Sequence, residues 1–242
     1  MKKLQALLIA GVAAGALVAA SAEANIIIDS AAVPTDFSIV FDGNIDGDDV
    51  DGLTGQADFS YQGLVDFDGG DDNAYQFDVV VSNTSDPNIW DDSRISALVF
   101  NVVDLPDGGG SSGDWQVFIL RTGPGAQPAL PNGFGQVDIC VKEEVAGACQ
   151  GGGSGGVSIG EDPAVFTLFL AYDSVPSSIT LSNFGVRYQS LTSAELGFDG
   201  DSGTGTGTPG NGTPVPEPAT LALLGIGLLG AGYMARRRRD DA

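Results

Sequence analysis

The chain has 242 residues, with Lys+Arg 10 against Asp+Glu 32, a formal charge of -22, two cysteines and no histidine. Without histidine there is no Ser-His-Asp or Cys-His catalysis, no imidazole acid or base and no histidine metal ligand. Two cysteines cannot complete a four-cysteine zinc or iron–sulfur site. The acidity opposes nucleic-acid binding, which needs a basic footprint.

The charges are unevenly placed. Lys2 and Lys3 sit at one end and Arg236, Arg237, Arg238 and Arg239 at the other, so residues 25–215 hold four basic residues against 28 acidic ones. Of the acids 26 are Asp and 6 Glu. Asp favours turns over helix interiors, which points to a loop-rich β protein.

Residues 1–24 read as a signal peptide. Lys2-Lys3 form the basic region, Leu4 to Ala20 the apolar run, and Ala22-Glu23-Ala24 a small-residue cleavage site. Cleavage by signal peptidase after Ala24 starts the mature chain at Asn25, once the export machinery has delivered it. The alternative is an uncleaved anchor helix.

Residues 25–198 are predicted as one all-β ectodomain. Helical periodicity is lacking, and short apolar or alternating runs recur between Gly/Asp/Asn/Pro turns. The predicted strands cover 26–29, 37–41, 56–62, 74–83, 95–102, 115–121, 135–141, 164–172, 178–183 and 184–189. Their number and spacing suggest a two-sheet antiparallel β-sandwich of jelly-roll type.

Several residues within this body are candidates for chemistry. Asp42-Gly43-Asn44-Ile45-Asp46-Gly47 matches the first half of a calcium loop, with hard oxygens at alternate positions and a glycine at the sharp turn. Asp42, Asn44, Asp46 and Asp48 would then ligate Ca2+. The second half departs from the pattern, because Leu53 stands where a bidentate Glu belongs. Asp66, Asp68, Asp71 and Asp72 form a second acidic group. The competing reading of both groups is acidic hairpin turns on a solvated surface. Trp90, in DPNIWDD, is the aromatic singled out for stacking on a sugar. Trp115, Tyr75 and Tyr188 lie in predicted strands, where core packing is the commoner fate. Cys140 and Cys149 should pair in an exported protein. A thiol nucleophile would lack a histidine to activate it. Gly151–Gly156 reads as a mobile loop.

Residues 199–214 are a Gly/Thr/Ser/Pro linker with no apolar face, expected to be disordered. Val215-Pro216-Glu217-Pro218 follows. Ala219 to Ala235 is uncharged and apolar; its 17 residues span about 26 Å as a helix, the lower limit for a bilayer core. Arg236 to Arg239 then stop transfer and stay cytoplasmic. Residues 240–242 are a short tail.

The segment 215–239 resembles a PEP-CTERM sorting signal: Pro-Glu-Pro, one apolar helix, then a basic cluster. The resemblance implies processing by an exosortase, a multi-pass membrane peptidase of Gram-negative bacteria. It further implies an association with exopolysaccharide and biofilm matrix. Pro216, Glu217 and Pro218 would be the recognised positions, and Arg236–Arg239 the end retained in the inner membrane. The body, with a cysteine pair beside a glycine-rich run, is similar to the cistern family of such proteins. The expected function is therefore that of an exported surface or matrix protein, acted on rather than acting as an enzyme. The alternative is a calcium-dependent carbohydrate-binding module. A hydrolase built on two of the many carboxylates is the weakest of the three.

Overall fold

The computed structural model describes residues 25–67, 69, 73–113, 115–119, 129–143, 146–149 and 151–210. Among them strand follows strand and no helix occurs. The strands are β1 (Ile26–Asp29), β2 (Thr35–Ile45), β3 (Asp48–Val65), β4 (Ala74–Asn83), β5 (Asp92–Val103), β6 (Gly108–Ser112), β7 (Trp115–Ile119), β8 (Ala129–Leu130) and β9 (Gly135–Gln136). They continue with β10 (Ile139–Glu143), β11 (Ala146–Ala148), β12 (Gly151–Gly153), β13 (Val157–Ser158), β14 (Ala164–Ala171), β15 (Ser178–Ser193) and β16 (Phe198–Pro209).

The expected all-β, antiparallel class holds. The two separate sheets do not: one 12-stranded sheet runs β6-β14-β4-β3-β2-β16-β15-β5-β10-β7, with β1 on β15 and β13 on β5. Its edge strands β6 and β7 are neighbours in sequence, and the Ser111 hydroxyl donates to the Trp115 carbonyl between them. Trp115 also stacks on Phe166 of β14 at 5.4 Å. The sheet thus rolls over and nearly closes. Long strands carry it around the bend: β3 has 18 residues and β15 has 16. Both break register locally, near Gly63 in β3 and near Asn183 and Ser190 in β15, each with positive φ. Such irregularities bend and twist a strand. They also explain why the two predicted strands 178–183 and 184–189 are one.

Period-two alternation fills the interior. Ala57, Phe59 and Tyr61 of β3 and Tyr75, Phe77, Val79 and Val81 of β4 are buried, with Gln56, Asp58, Ser60, Gln76 and Asp78 between them. Phe37 stacks on Phe59 at 4.7 Å and Phe100 on Phe184 at 5.6 Å. Phe59 meets Phe184 edge-on at 5.7 Å, so the β2/β3 wall closes against the β5/β15 wall. Each such pair adds about 0.5–1.5 kcal/mol beyond area burial.

A second cluster lies apart from this core. Ala97 and Val99 of β5 and Cys140 of β10 are covered by Leu130, Val137, Cys149 and the partly buried Phe118 and Phe134. The Phe134 ring occupies the space a Cβ would need at Gly185.

The predicted linker needs the largest correction. Residues 198–209 are β16, paired with β15 on one side and β2 on the other. The sequence GTGTGT is a period-two strand: Gly203, Gly205 and Gly207 point inward, while Thr206 is exposed and Thr208 half-buried. A Cβ at Gly205 would lie 2.8 Å from Val186 Cγ2, 2.9 Å from Tyr188 Cε2 and 3.1 Å from Phe41 Cβ. Large side chains on β15 and β2 roof over the glycine lane, so its glycines contribute backbone bonds and no side-chain volume, while Thr204 between them is buried and Phe198 at the start of the strand packs on Trp90. Arg187, buried on β15, fastens β16 further, with Nη1 donating to the Gly203 carbonyl and Nη2 to Ser202 Oγ, both at 2.7 Å. Burial lowers the pKa of that guanidinium.

Gly151–Gly156 is likewise tied down rather than a mobile loop. Gly151–Gly153 is β12, paired with β11. Arg94 donates to the carbonyls of Gly153 and Gly155, and Gly156 N–H donates to Glu143 Oε2 at 2.6 Å. A Cβ at Gly156 would lie 2.2 Å from the Ile95 carbonyl oxygen, so only glycine passes there.

Candidate functional site

The acidic segment 42–51 is a hairpin. β2 ends at Ile45 and β3 begins at Asp48, leaving Asp46 and Gly47 as a two-residue turn with φ of 54° and 98°. Two consecutive positive φ values mark the type I′ geometry that Asp-Gly pairs favour. Asn44 Oδ1 accepts the Gly47 N–H at 2.9 Å, and Asn44 Nδ2 donates to Asp49 Oδ1 at 3.3 Å. Asp42 stands on the outer face of β2 opposite Thr54, while Asp46 and Asp48 are exposed at the turn. A calcium loop curls its oxygens around one centre. This hairpin is extended instead. Among the described residues no three Asp, Glu, Cys or His side chains are grouped so as to hold a metal ion. Between the pairs Asn44↔Asp49 and Asp42↔Thr54, β3 makes an excursion that buries Leu53 completely. The Leu53 side chain fills the space beside Gly43, where a Cβ would lie 2.3 Å from its Cγ. The residue that breaks the calcium pattern is thus a core residue. Of the second acidic group, Asp66 is described; Asp68, Asp71 and Asp72 lie outside the described residues.

Trp90 is not a sugar platform. It is 1% exposed and stacks on Phe198 at 5.5 Å. Its Nε1–H donates to the Asp51 carbonyl at 3.0 Å. A turn aims it there. The Asp86 carboxylate accepts from Asn88 N–H and Nδ2, which holds its pKa below the usual carboxylate range, and the Asp86 carbonyl accepts from Trp90 N–H. A shallow cleft of about 460 Å³ opens beside it, lined also by Asn83, Ser85, Asp91 and Ile159. The Asn83 amide there already donates to the Ser93 carbonyl at 2.9 Å. Trp115, Tyr75 and Tyr188 are all buried core residues.

Cys140 and Cys149 form a disulfide, with their Cα atoms 6.2 Å apart. The bond ties β10 to the turn after β11. Both residues are buried in the outer cluster, which gives the bond a packing role.

The functional end of the chain begins where β16 stops. Gly210 N–H donates to the Ser38 carbonyl at 2.8 Å, and Gly210 is the last described residue. Ala24, Pro216, Glu217, Pro218, the apolar run 219–235 and Arg236–Arg239 lie outside the described residues. Among the described residues, no helix is long and apolar enough to cross a membrane.

Residues 214–239 match the family model of the PEP-CTERM protein-sorting motif. Such a motif indicates an exported protein that is processed at the membrane. More particularly, the motif supports sorting by an exosortase. No curated protein and no solved structure matches the chain.

The order of the tail's parts pointed to the sorting motif that the family model matches over 214–239. It missed the glycine lane of β16 and the Arg187 clamp. The period-two Gly/Thr alternation was the available signal for the strand; nothing marked Arg187.

Proposed function

We propose that this chain is a non-enzymatic surface or extracellular-matrix protein, associated with exopolysaccharide and biofilm, whose tail an exosortase removes after export. The PEP-CTERM match at 214–239 carries the reading. Signal peptidase and the export machinery deliver the body, and the helix 219–235 holds it transiently in the inner membrane with Arg236–Arg239 inside. Cleavage near Pro216-Glu217-Pro218 then releases it to the cell surface or the medium. The cistern-family likeness fits this role, and so does the body. Its filled interior and short hairpins form a sturdy, strongly acidic particle, and net charge of that size keeps a released protein soluble.

The test is intact mass with C-terminal peptide mapping of the protein from its native host, alongside a Pro216→Ala/Glu217→Ala/Pro218→Ala triple variant. A mature chain running from Asn25 to the neighbourhood of Val215–Pro218, with the variant left uncut in the membrane, supports the reading. Retention of 219–239 on the native protein refutes it. Co-purification with exopolysaccharide from wild-type but not polysaccharide-deficient cells tests the matrix role.

A further inference from the structure

Four neighbouring strands meet at one rim of the sheet. β6, β14, β4 and β3 lie side by side, and Gly108, Ala171, Ala74 and Val65 stand in one register line across them. One residue beyond that line the backbone bonds continue. Asp107 N–H donates to the Ala171 carbonyl at 2.9 Å, Tyr172 N–H to the Asn73 carbonyl at 2.9 Å, and Asn73 N–H to the Val65 carbonyl at 3.0 Å. Side chains then bridge the adjoining turns. Asp107 Oδ2 accepts the Asp173 N–H at 2.9 Å, and Asn73 Oδ1 accepts the Phe67 N–H at 3.2 Å. The bonded rim frames a cleft of about 170 Å³ whose lining includes Phe67, Asn73, Asp107, Tyr172 and Asp173. That is room for about six water molecules, or for one sugar ring.

One wall of the cleft is an aromatic ring that the fold holds outside. Among the described residues Phe67 is the one aromatic side chain left exposed, at 39%, whereas Trp90, Trp115, Tyr75 and Tyr188 are buried. The ring does not hang free. It packs on Phe169 of β14 at 5.6 Å. It also crosses β6 at Gly110, where a Cβ would lie 2.9 Å from Phe67 Cζ and 3.0 Å from Cε2. A larger residue at Gly110 would push the ring off the sheet.

Charge selects what can lie against this ring. Asp107 and Asp173 are both exposed in the cleft. The described basic residues are elsewhere: Arg94, Lys142 and Arg187 lie on β5, β10 and β15. An acidic glycan is therefore repelled. A metal ion lacks a ligand set, since among the described residues no three Asp, Glu, Cys or His side chains are grouped to hold one. An uncharged pyranose suits both halves of the cleft. Its apolar C–H face lies flat on an aromatic ring, and its hydroxyls donate to carboxylate oxygens in charge-assisted hydrogen bonds. Ligand clefts combine an apolar wall with a few placed polar groups in this way.

We propose that this rim cleft holds a pyranose residue of an uncharged glycan, with the sugar ring stacked on Phe67 and its hydroxyls donating to Asp107 and Asp173. This rests on the exopolysaccharide reading and gives it a contact site. It differs from a calcium-dependent module, because no metal takes part and the Asp42–Asp48 hairpin lies at the opposite end of β3.

Affinity electrophoresis of the purified exported protein in gels containing exopolysaccharide from its own host tests it. Phe67→Ala is expected to raise the Kd at least tenfold, and Phe67→Trp to leave it within threefold. Asp173→Ala, which leaves the ring untouched, is expected to raise it at least threefold. Circular dichroism checks that each variant is folded. Binding should persist in EDTA, and oligogalacturonate should not displace the polysaccharide. Retention of Phe67→Ala at wild-type strength overturns the site. A loss with Phe67→Trp as large as with alanine overturns it too, because stacking is then not the contact. So do displacement by oligogalacturonate, which contradicts the charge selection, and loss of binding in EDTA, which assigns it to a metal. Failure of the wild-type protein to be retained would instead remove the exopolysaccharide reading, and the site with it.

Discussion

Replacing Gly207 by alanine tests whether β16 is a docked strand. A Cβ there would lie 2.6 Å from Ile39 Cγ2, 2.8 Å from Phe184 Cβ and 2.9 Å from the Phe184 carbonyl oxygen. Neither Phe184 atom is the far end of a flexible chain, so the backbone of β15 or β16 must shift. Overpacking of this kind costs about 1–3 kcal/mol. Alanine also restricts the unfolded chain, which offsets about 0.4–1 kcal/mol. The net loss is about 1–2 kcal/mol. With a urea m value of about 2 kcal/mol/M, the unfolding midpoint falls by about 0.5–1 M. Equilibrium urea unfolding of the purified exported protein, followed by tryptophan fluorescence, reads this directly. Thr206→Ala on the exposed face of the same strand is the control and should stay within about 0.5 kcal/mol. An unchanged or raised midpoint for Gly207→Ala refutes the docked strand, since alanine in a disordered linker meets nothing.

Four further outcomes follow from the packing. Reducing the Cys140–Cys149 bond should lower stability by about 2–3 kcal/mol on the chain-entropy model, read as a lower urea midpoint in reductant. Trp90→Ala should lose about 3–5 kcal/mol, and native Trp90 should resist collisional quenchers in keeping with its burial. Tyr188→Phe should be neutral or slightly stabilising in the same assay, because among the described residues the buried Tyr188 hydroxyl has no hydrogen-bond partner. The last concerns alkaline pH. Burial, then the charges of Tyr75 and Asp29, push Tyr61 up to about 12, and burial also raises Tyr75, Tyr172 and Tyr188. Above pH 10 the unfolded state releases phenolic protons that the folded state keeps. Stability is therefore undiminished by these groups below pH 10 and falls as pH rises from 10 towards 12. Phenolate absorbance from these tyrosines should appear together with unfolding, and phenolate formation near pH 10 in the folded protein would contradict their burial.

The sorting motif was legible in the sequence, because its parts are contiguous: Pro-Glu-Pro, an apolar run and a basic cluster. The all-β class was legible too, since alternation such as Tyr75, Phe77, Val79 is written locally. Likewise the cysteine pairing followed from an exported chain with two thiols. Tertiary structure decided the rest. GTGTGT reads as a linker until Phe41, Phe184, Val186 and Tyr188 are seen to fill the volume its side chains lack. Trp90 reads as a loop aromatic until Phe198 and the Asp51 carbonyl close on it. The Asp42–Asp48 oxygens match half a calcium loop in order, but the hairpin register spreads them along an extended pair of strands. In each case the deciding partner lies on another strand, so local sequence could not name it. Composition and order determined where this chain is sent. Only the rolled sheet decided that β16, the last described strand, is part of the core.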